Sequence, residues 1–333
     1  MPKSATQTRT IALLAAVTVL LAGLTLAARR RTSDQIVLKL AHGLDNTHPV
    51  HISMEFMAKR AGEKSAGAMR IEIFPSEQLG AERECIEQVQ LGSLDMTKAS
   101  SAAVEQFIPE MGVFSLPYLF RDEEHYWSIL NGPVGQEILE AGRPVGLHGL
   151  CYFDAGARSF YTKQRPISQP TDLRGQKIRV QQSRTAMAMI EALGGAPTPI
   201  PFGELYTALQ QGVVDGAENN PPSFLSSRHY EVCKYYALDE HANVPDVLLI
   251  SEAVWRDLPA EAQGWLSEAA AEAAAFQRKL WAEKTNEAIE ELKKAGVEVS
   301  RPDKKPFAEA VAPMLKTQSN RAVERLVEKI LAP

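Results

Sequence analysis

From Gln35 onward, short runs of β-branched and apolar residues alternate with stretches of helical spacing, and no other feature restricts the fold of this chain as much. IVLKLAH (36–42) reads as a strand, His51 to Lys64 as a helix, MRIEIFP (69–75) as a strand and Ala81 to Leu91 as a helix. Strands separated by helices cannot form hairpins, so this order predicts a parallel α/β sheet covered by helices. A third unit follows in Asp95 to Ser101, the apolar VFSLPYLF (113–120) and a helix near Asp122 to Leu130. A strand at Gly149 to Phe153 then leads into the loop Asp154-Ala155-Gly156-Ala157. A second block has strands at Gly175 to Val180 and Val213 to Glu218, with helices at Arg184 to Leu193 and Phe202 to Gln211; Val247 to Ser251 closes the strands. The pattern predicts one α/β unit to about residue 155, a second over about 156–244, and a return to the first, with strands crossing between them as a hinge.

Glu261 to Ala295 reads as one helix, started by Pro259 and stopped by Gly296, with Trp265, Ala269, Ala273, Phe276 and Leu280 on its core face. At 1.5 Å per residue it would run about 50 Å, more than one small domain needs. It must span both units or break midway. The expected division is therefore 35–155 with 245–284 as a first lobe, and 156–244 with 285–333 as a second. A length of 333 residues suits two domains.

Residues 11–28, IALLAAVTVLLAGLTLAA, follow Lys3 and Arg9 and read as an export signal. Thr25-Leu26-Ala27 is the nearest match to a cleavage box, but Arg29-Arg30-Arg31 directly afterwards is unusual in translocated sequence, so cleavage and retention as an N-terminal anchor both stay open for residues 1–28. The rest is expected in the periplasm. The formal charge of −5, with no basic patch, argues against a nucleic-acid partner. Cys85, Cys151 and Cys233 lie far apart without a CxxC pair and read as buried small residues.

Legible catalytic motifs are missing: there is no GxSxG, GxxxxGK[ST], HExxH or post-strand GxGxxG. The two histidines of His48-Pro49-Val50-His51 have no third metal ligand nearby in sequence, and His229 and His241 flank an expected amphipathic helical stretch. No cofactor, metal or catalytic residue is expected. Two arginines carry the binding signal. Arg179 lies inside the strand Lys177-Ile178-Arg179-Val180, near the carboxyl end, where open sheets present side chains to a crevice. Arg158 follows the predicted strand in the segment that joins the two blocks. Two guanidinium groups converging on a cleft suit a carboxylate, whereas ion pairs to Asp154, Asp215 or Glu218 would make them structural. Asn219, at a strand end before Asn220-Pro221-Pro222, can serve a ligand or cap a helix.

DLRGQKIRV (172–180) and GAPTPIPFGELYTALQQGVVDGAEN (195–219) closely resemble the signature of solute-binding proteins of tripartite ATP-independent periplasmic (TRAP) transporters. PSEQLG (75–80), GSLDMT (92–97), FSLPYLF (114–120) and ARSFYT (157–162) extend the resemblance over nearly the whole mature chain. It implies an α/β, two-lobed periplasmic-binding-protein-like fold with crossing hinge strands and a long helix packed across both lobes. It also implies a monomeric, non-enzymatic protein that closes on a small organic acid and delivers it to small and large integral membrane subunits. By the same resemblance, Arg179 clamps the carboxylate, Arg158 is the second cleft arginine, Asn219 lies beside it and Phe202 lines the pocket. Glu82, Ser100, His42 and Asn46 match positions that vary with the far end of the ligand. QQS (181–183), AENNPPSF (217–224), SRHYEV (227–232) and VPDVLL (244–249) look like the branch associated with uronic and other sugar acids. A hexuronate is therefore the expected ligand and a C4-dicarboxylate or other carboxylic acid the alternative. An exported enzyme acting on a carboxylated sugar, and a membrane-anchored sensor domain, are the readings of another class.

Overall fold

The computed structural model describes residues 35–316 and 320–332, so the apolar segment 11–28 lies outside it. The strands are β1 (Ile36–Ala41), β2 (Met69–Phe74), β3 (Met96–Ser100), β4 (Leu147–Phe153), β5 (Ala157–Thr162), β6 (Lys177–Val180), β7 (Ala196–Pro199), β8 (Gly216–Asn219), β9 (Tyr235–Asn243), β10 (Asp246–Ser251) and β11 (Glu298–Ser300). They form two sheets, ordered β2-β1-β3-β10-β4 and β11-β9-β5-β8-β6-β7. Each sheet carries its own apolar core, so the molecule is two-lobed.

The expected parallel pairing holds for β1 with β2 and β3, and for β6 with β7 and β8. It fails at the crossing. There β10 runs antiparallel between β3 and β4, and β5 runs antiparallel between β8 and β9. The cause is the route of the chain. In the first sheet Asp246 pairs with Phe153; just across the boundary Ala157 pairs with Asn243 in the second. One antiparallel ribbon thus passes from lobe to lobe and must be antiparallel in both. At the crossing, Gly156 has φ +58°, and a Cβ there would lie 2.8 Å from Trp281 Nε1, so a side chain is excluded. The carboxamide of Gln277 accepts from the backbone N–H of Asp154 and donates to its carbonyl, both at 2.7 Å, pinning the ribbon to the long helix.

That helix is continuous from Ala260 to Lys294. Its Ala262, Leu266, Ala269, Ala273 and Trp281 enter the first lobe's core, while Leu292 enters the second's, so it spans both lobes. The buried line is rotated from the expected one: Trp265, Phe276 and Leu280 are only half-buried. The segment 285–333, expected with the second lobe, divides. Helix Lys304–Lys316 sets Phe307 and Val311 in the second lobe, but helix Arg321–Leu331 returns Val323, Leu326, Val327 and Ile330 to the first. Those four apolar residues, three or four apart, put the helix against the segment Pro109–Ser115 and helix Pro133–Glu140. The helical stretch expected between His229 and His241 is mostly β9.

Candidate functional site

A cleft open to solvent lies between the lobes beside the crossing ribbon. The first lobe supplies Glu82, Lys98, Ser100 and Asp246; the second supplies Arg158, Gln181, Phe202 and Asn219. The lobes touch around it. His48 Nδ1 accepts from Val50 N–H, capping helix Pro49–Lys64, so its Nε2 carries the proton and donates to Ser223 Oγ across the cleft at 3.2 Å. Gly203 N–H donates to Glu77 Oε1 at 3.0 Å, and Ser100 Oγ to Gln181 Oε1 at 3.2 Å. Away from the cleft, the Glu105 carboxylate accepts from Ser183 Oγ, from Thr185 N–H at 3.3 Å and from Thr185 Oγ1 at 2.8 Å. These contacts define a closed arrangement.

The two arginines differ in what surrounds them. The antiparallel pairing of β5 with β8 sets Arg158, which is itself the second residue of β5 rather than a linker residue, beside Glu218 and Asn219. Its Nε pairs with Glu218 Oε2, Nη2 donates to Glu218 Oε1 and to its carbonyl, both at 2.8 Å, and Nη1 donates to Asn219 Oδ1 at 3.0 Å. Four of its five N–H groups are therefore used inside the protein. Burial opposes both charges, but the pair offsets it: Arg158 lies above its ordinary pKa, and Glu218, also bonded to His241, is held at about 2. The internal ion pair to Glu218, one of the two readings of the sequence, is realised at Arg158.

Arg179 has no such partner. On β6, its Nε donates to Ile200 O at 2.8 Å and its guanidinium lies 5.8 Å from the Phe202 ring centroid. Nη1 is buried without a hydrogen-bond partner among the described residues. Burial lowers its pKa. Two carboxylates whose charges act on it, Glu218 and Glu82, are engaged by Arg158 and Lys98. Arg179 lines a depression that adjoins the cleft, and the two share Glu82, Gln181 and Phe202.

The amides of the second lobe are arranged as donors. Asn219 Oδ1 accepts from Arg158 and from Asn220 N–H at 2.9 Å, and Asn220 Oδ1 accepts from Ser223 N–H at 2.9 Å. Gln181 Oε1 is taken by Ser100, so each carboxamide has its NH2 group left for a ligand. The first lobe is acidic instead. Glu82 Oε1 accepts from Ser100 N–H at 2.8 Å, and the Lys98 ammonium lies 3.2 Å from Asp246 Oδ1 and 3.7 Å from Glu82 Oε1.

Of the residues proposed from sequence, Arg158, Asn219, Phe202, Glu82 and Ser100 line the cleft and Arg179 adjoins it. His42 is buried behind it: Nδ1 accepts from Leu44 N–H at 3.1 Å, so Nε2 donates to His51 Nδ1 at 3.0 Å, and burial pushes its pKa down to about 2. Asn46 is exposed in the turn before helix Pro49–Lys64 and does not line the cleft, although Leu44 and His48 on either side of it do. Lys98, Asp246, Gln181, Glu77 and His48 line the cleft without having been singled out for it. Lys98 could have been found as Arg179 was, as a cation inside the buried strand Met96-Thr97-Lys98-Ala99-Ser100.

A donor wall facing an acidic wall, on two lobes joined by a crossing ribbon, defines a binding protein that closes on a polar anion. Residues 40–321 match the bacterial extracellular solute-binding proteins of family 7, DctP, and the chain belongs to that family. It is 41% identical to the TRAP periplasmic solute-binding protein of a Bradyrhizobium strain, solved with α/β-D-galacturonate; the match covers 88% of this chain and 98% of that one, with a TM-score of 0.85. The TRAP solute-binding protein of Xanthobacter autotrophicus, solved with β-D-galacturonate, is 39% identical, with the same coverage and TM-score. Among curated proteins, the 2,3-diketo-L-gulonate-binding periplasmic protein YiaO of Escherichia coli is 32% identical over 82% of this chain and 84% of its own length.

Proposed function

We propose that the protein is the periplasmic solute-binding component of a TRAP transporter, that it binds a hexuronate, and that it hands this sugar acid to the transporter's membrane subunits without chemical change. The carboxylate enters the second lobe, where Arg179 supplies its unpaired Nη1 and Arg158 its one remaining N–H. Asn219 and Gln181 donate beside them, and Phe202 covers the sugar ring. Arg158 in this reading is first a brace: it fixes Asn219 while its charge is balanced by Glu218. The observation that carries the proposal is the buried Arg179 Nη1 with no partner among the described residues, at a wall made of donors. A buried cation is costly unless paired, and a carboxylate is the matching partner. The galacturonate and glucuronate seen in related structures support the sugar-acid class.

Calorimetry with D-galacturonate, D-glucuronate, succinate and neutral galactose tests this. Tight binding of at least one uronate, recovered unchanged, with weak binding of succinate and none of galactose, is expected. Tight binding of succinate alone would return the site to C4-dicarboxylates, and turnover of the uronate would make the protein an enzyme.

A further inference from the structure

The far end of the cleft has a charge arrangement that the carboxylate clamp does not use. In the register of β3 with β10, Ser100 faces Asp246, and Lys98 lies two residues before Ser100, so all three project from one face of the sheet. Glu82, the first residue of helix Glu82–Leu91, is drawn to the same place by its bond from Ser100 N–H. Lys98 and Asp246 are buried, at 4% and 6% exposure. The one ammonium is thus shared by two carboxylates, and the cluster carries one net negative charge.

We infer that Lys98, Glu82 and Asp246 act together as a specificity filter that accepts hydroxyl groups at the distal end of the ligand and rejects a second carboxylate. This deepens the hexuronate reading and rests on it. A hydroxyl can donate to Glu82 or Asp246 and accept from a remaining ammonium hydrogen of Lys98, satisfying a group of each sign at once. A carboxylate can only accept. It would find the single cation already neutralised and two like charges beside it, in a site where water cannot screen them. The filter therefore separates a uronate from the aldarate of the same carbon chain, which carries a carboxylate in place of the aldehyde carbon and so cannot close the pyranose ring; the wild-type ratio contains both differences, and its change in E82Q isolates the charge. Glu82, Asp246 and Lys98 are all specificity-determining residues.

The test compares D-glucuronate with D-glucarate by calorimetry on the full mature chain and on Glu82→Gln. Glutamine can still accept from Ser100 N–H while removing one negative charge, and a melting curve checks that it folds. The wild type should prefer glucuronate at least about 100-fold, and E82Q should narrow that ratio at least about tenfold, through tighter glucarate binding as well as weaker glucuronate binding. Asp246→Asn repeats the measurement if E82Q does not fold. A wild-type protein that binds both acids within threefold overturns the filter and leaves the hexuronate reading standing. An unchanged ratio in the folded variant also overturns it, since a merely structural role would weaken both ligands alike. A wild type that binds no uronate overturns the underlying reading, and the filter with it.

Discussion

Replacing Arg179 and Arg158 in turn separates the two roles that the structure gives to two chemically identical side chains. Arg179→Ala removes a guanidinium whose one hydrogen bond among the described residues is to Ile200 O, together with a contact to Phe202. Those are neutral-acceptor and cation–π interactions worth about 1 kcal/mol each. Against them stands the relief of burying a cation whose Nη1 has no partner. The two nearly cancel, so the protein without ligand should melt within a few degrees of the wild type. With ligand the balance changes. Losing one partner of a desolvated charge pair costs about 2–5 kcal/mol, a loss in affinity of roughly 30-fold to several thousand-fold. Arg179→Lys should recover little, because an ammonium lacks the planar fork. Arg158→Ala behaves in the opposite way. It leaves the Glu218 carboxylate, whose side chain is 3% exposed, with only His241 Nε2 at 3.5 Å, and removing one member of a buried pair costs about 3–5 kcal/mol of stability. At roughly 2–4 °C per kcal/mol for a lobe of this size, its melting temperature should fall by about 10 °C. Calorimetric titration with D-galacturonate and melting curves without ligand read both effects. A folded Arg179→Ala protein that loses less than about fivefold in affinity, roughly 1 kcal/mol, would refute the clamp. So would an Arg179→Ala protein that melts lower than Arg158→Ala.

Three further outcomes follow from the same geometry. Glu105 joins the lobes outside the cleft, so Glu105→Ala should weaken every ligand by one common factor, about 5- to 30-fold, and leave selectivity unchanged; a changed preference between two acids would show that Glu105 acts inside the site. Asp154 is raised to about pH 6 by burial, which its bond from Gly156 N–H does not offset. Between the ordinary value of about 4 and that value, the native state keeps a proton the unfolded state has lost, so stability falls as pH rises through this window, by on the order of 3 kcal/mol. Asp154→Asn should therefore melt above the wild type at pH 7.5 and equal to it near pH 4, and equal melting at pH 7.5 would contradict the shift. Mass spectrometry of the exported protein should place its first residue near 28; an intact amino terminus in membrane fractions would establish an anchor instead.

The alternation of strands and helices was legible because one lobe face of each element is apolar at a period the residues themselves display. The same rule hid β9. Its run Tyr-Tyr-Ala-Leu-Asp-Glu-His-Ala-Asn is buried over most of its length, and two of its polar residues, Asp239 and His241, satisfy each other at 2.9 Å inside the lobe. Without an exposed face there is no alternation to read, and polar residues in the middle suggest a helix surface. Antiparallel crossing was hidden for another reason: it follows from which strands meet, which is a property of the whole chain. The site divides along the same line. A cation inside a strand marked Arg179, and would have marked Lys98. That Glu218 would serve Arg158 rather than Arg179 depends on the pairing of Ser159 with Asn219 in β5 and β8, which no local pattern contains.

The unpaired nitrogen of Arg179 also bears on why closing should wait for a ligand. The contacts that join the lobes are few: His48 to Ser223, Gly203 to Glu77 and Ser100 to Gln181 at the cleft, with Glu105 to Ser183 and Thr185 and Gln106 to Gln182 beside it. Each is a hydrogen bond worth about 1 kcal/mol after exchange with water. The closed lobes bury Arg179 beside Arg158, a like charge already matched by Glu218. Closing without an anion therefore sets a desolvation cost of several kcal/mol against a comparable gain from the rim contacts. A bound carboxylate removes that cost in the closed arrangement alone, and this difference between the two states is the free energy a ligand can use to shift them. On this account a neutral sugar that filled the cleft and satisfied Glu82 and Asp246 would still leave the lobes apart, because the term that opposes closure would be untouched.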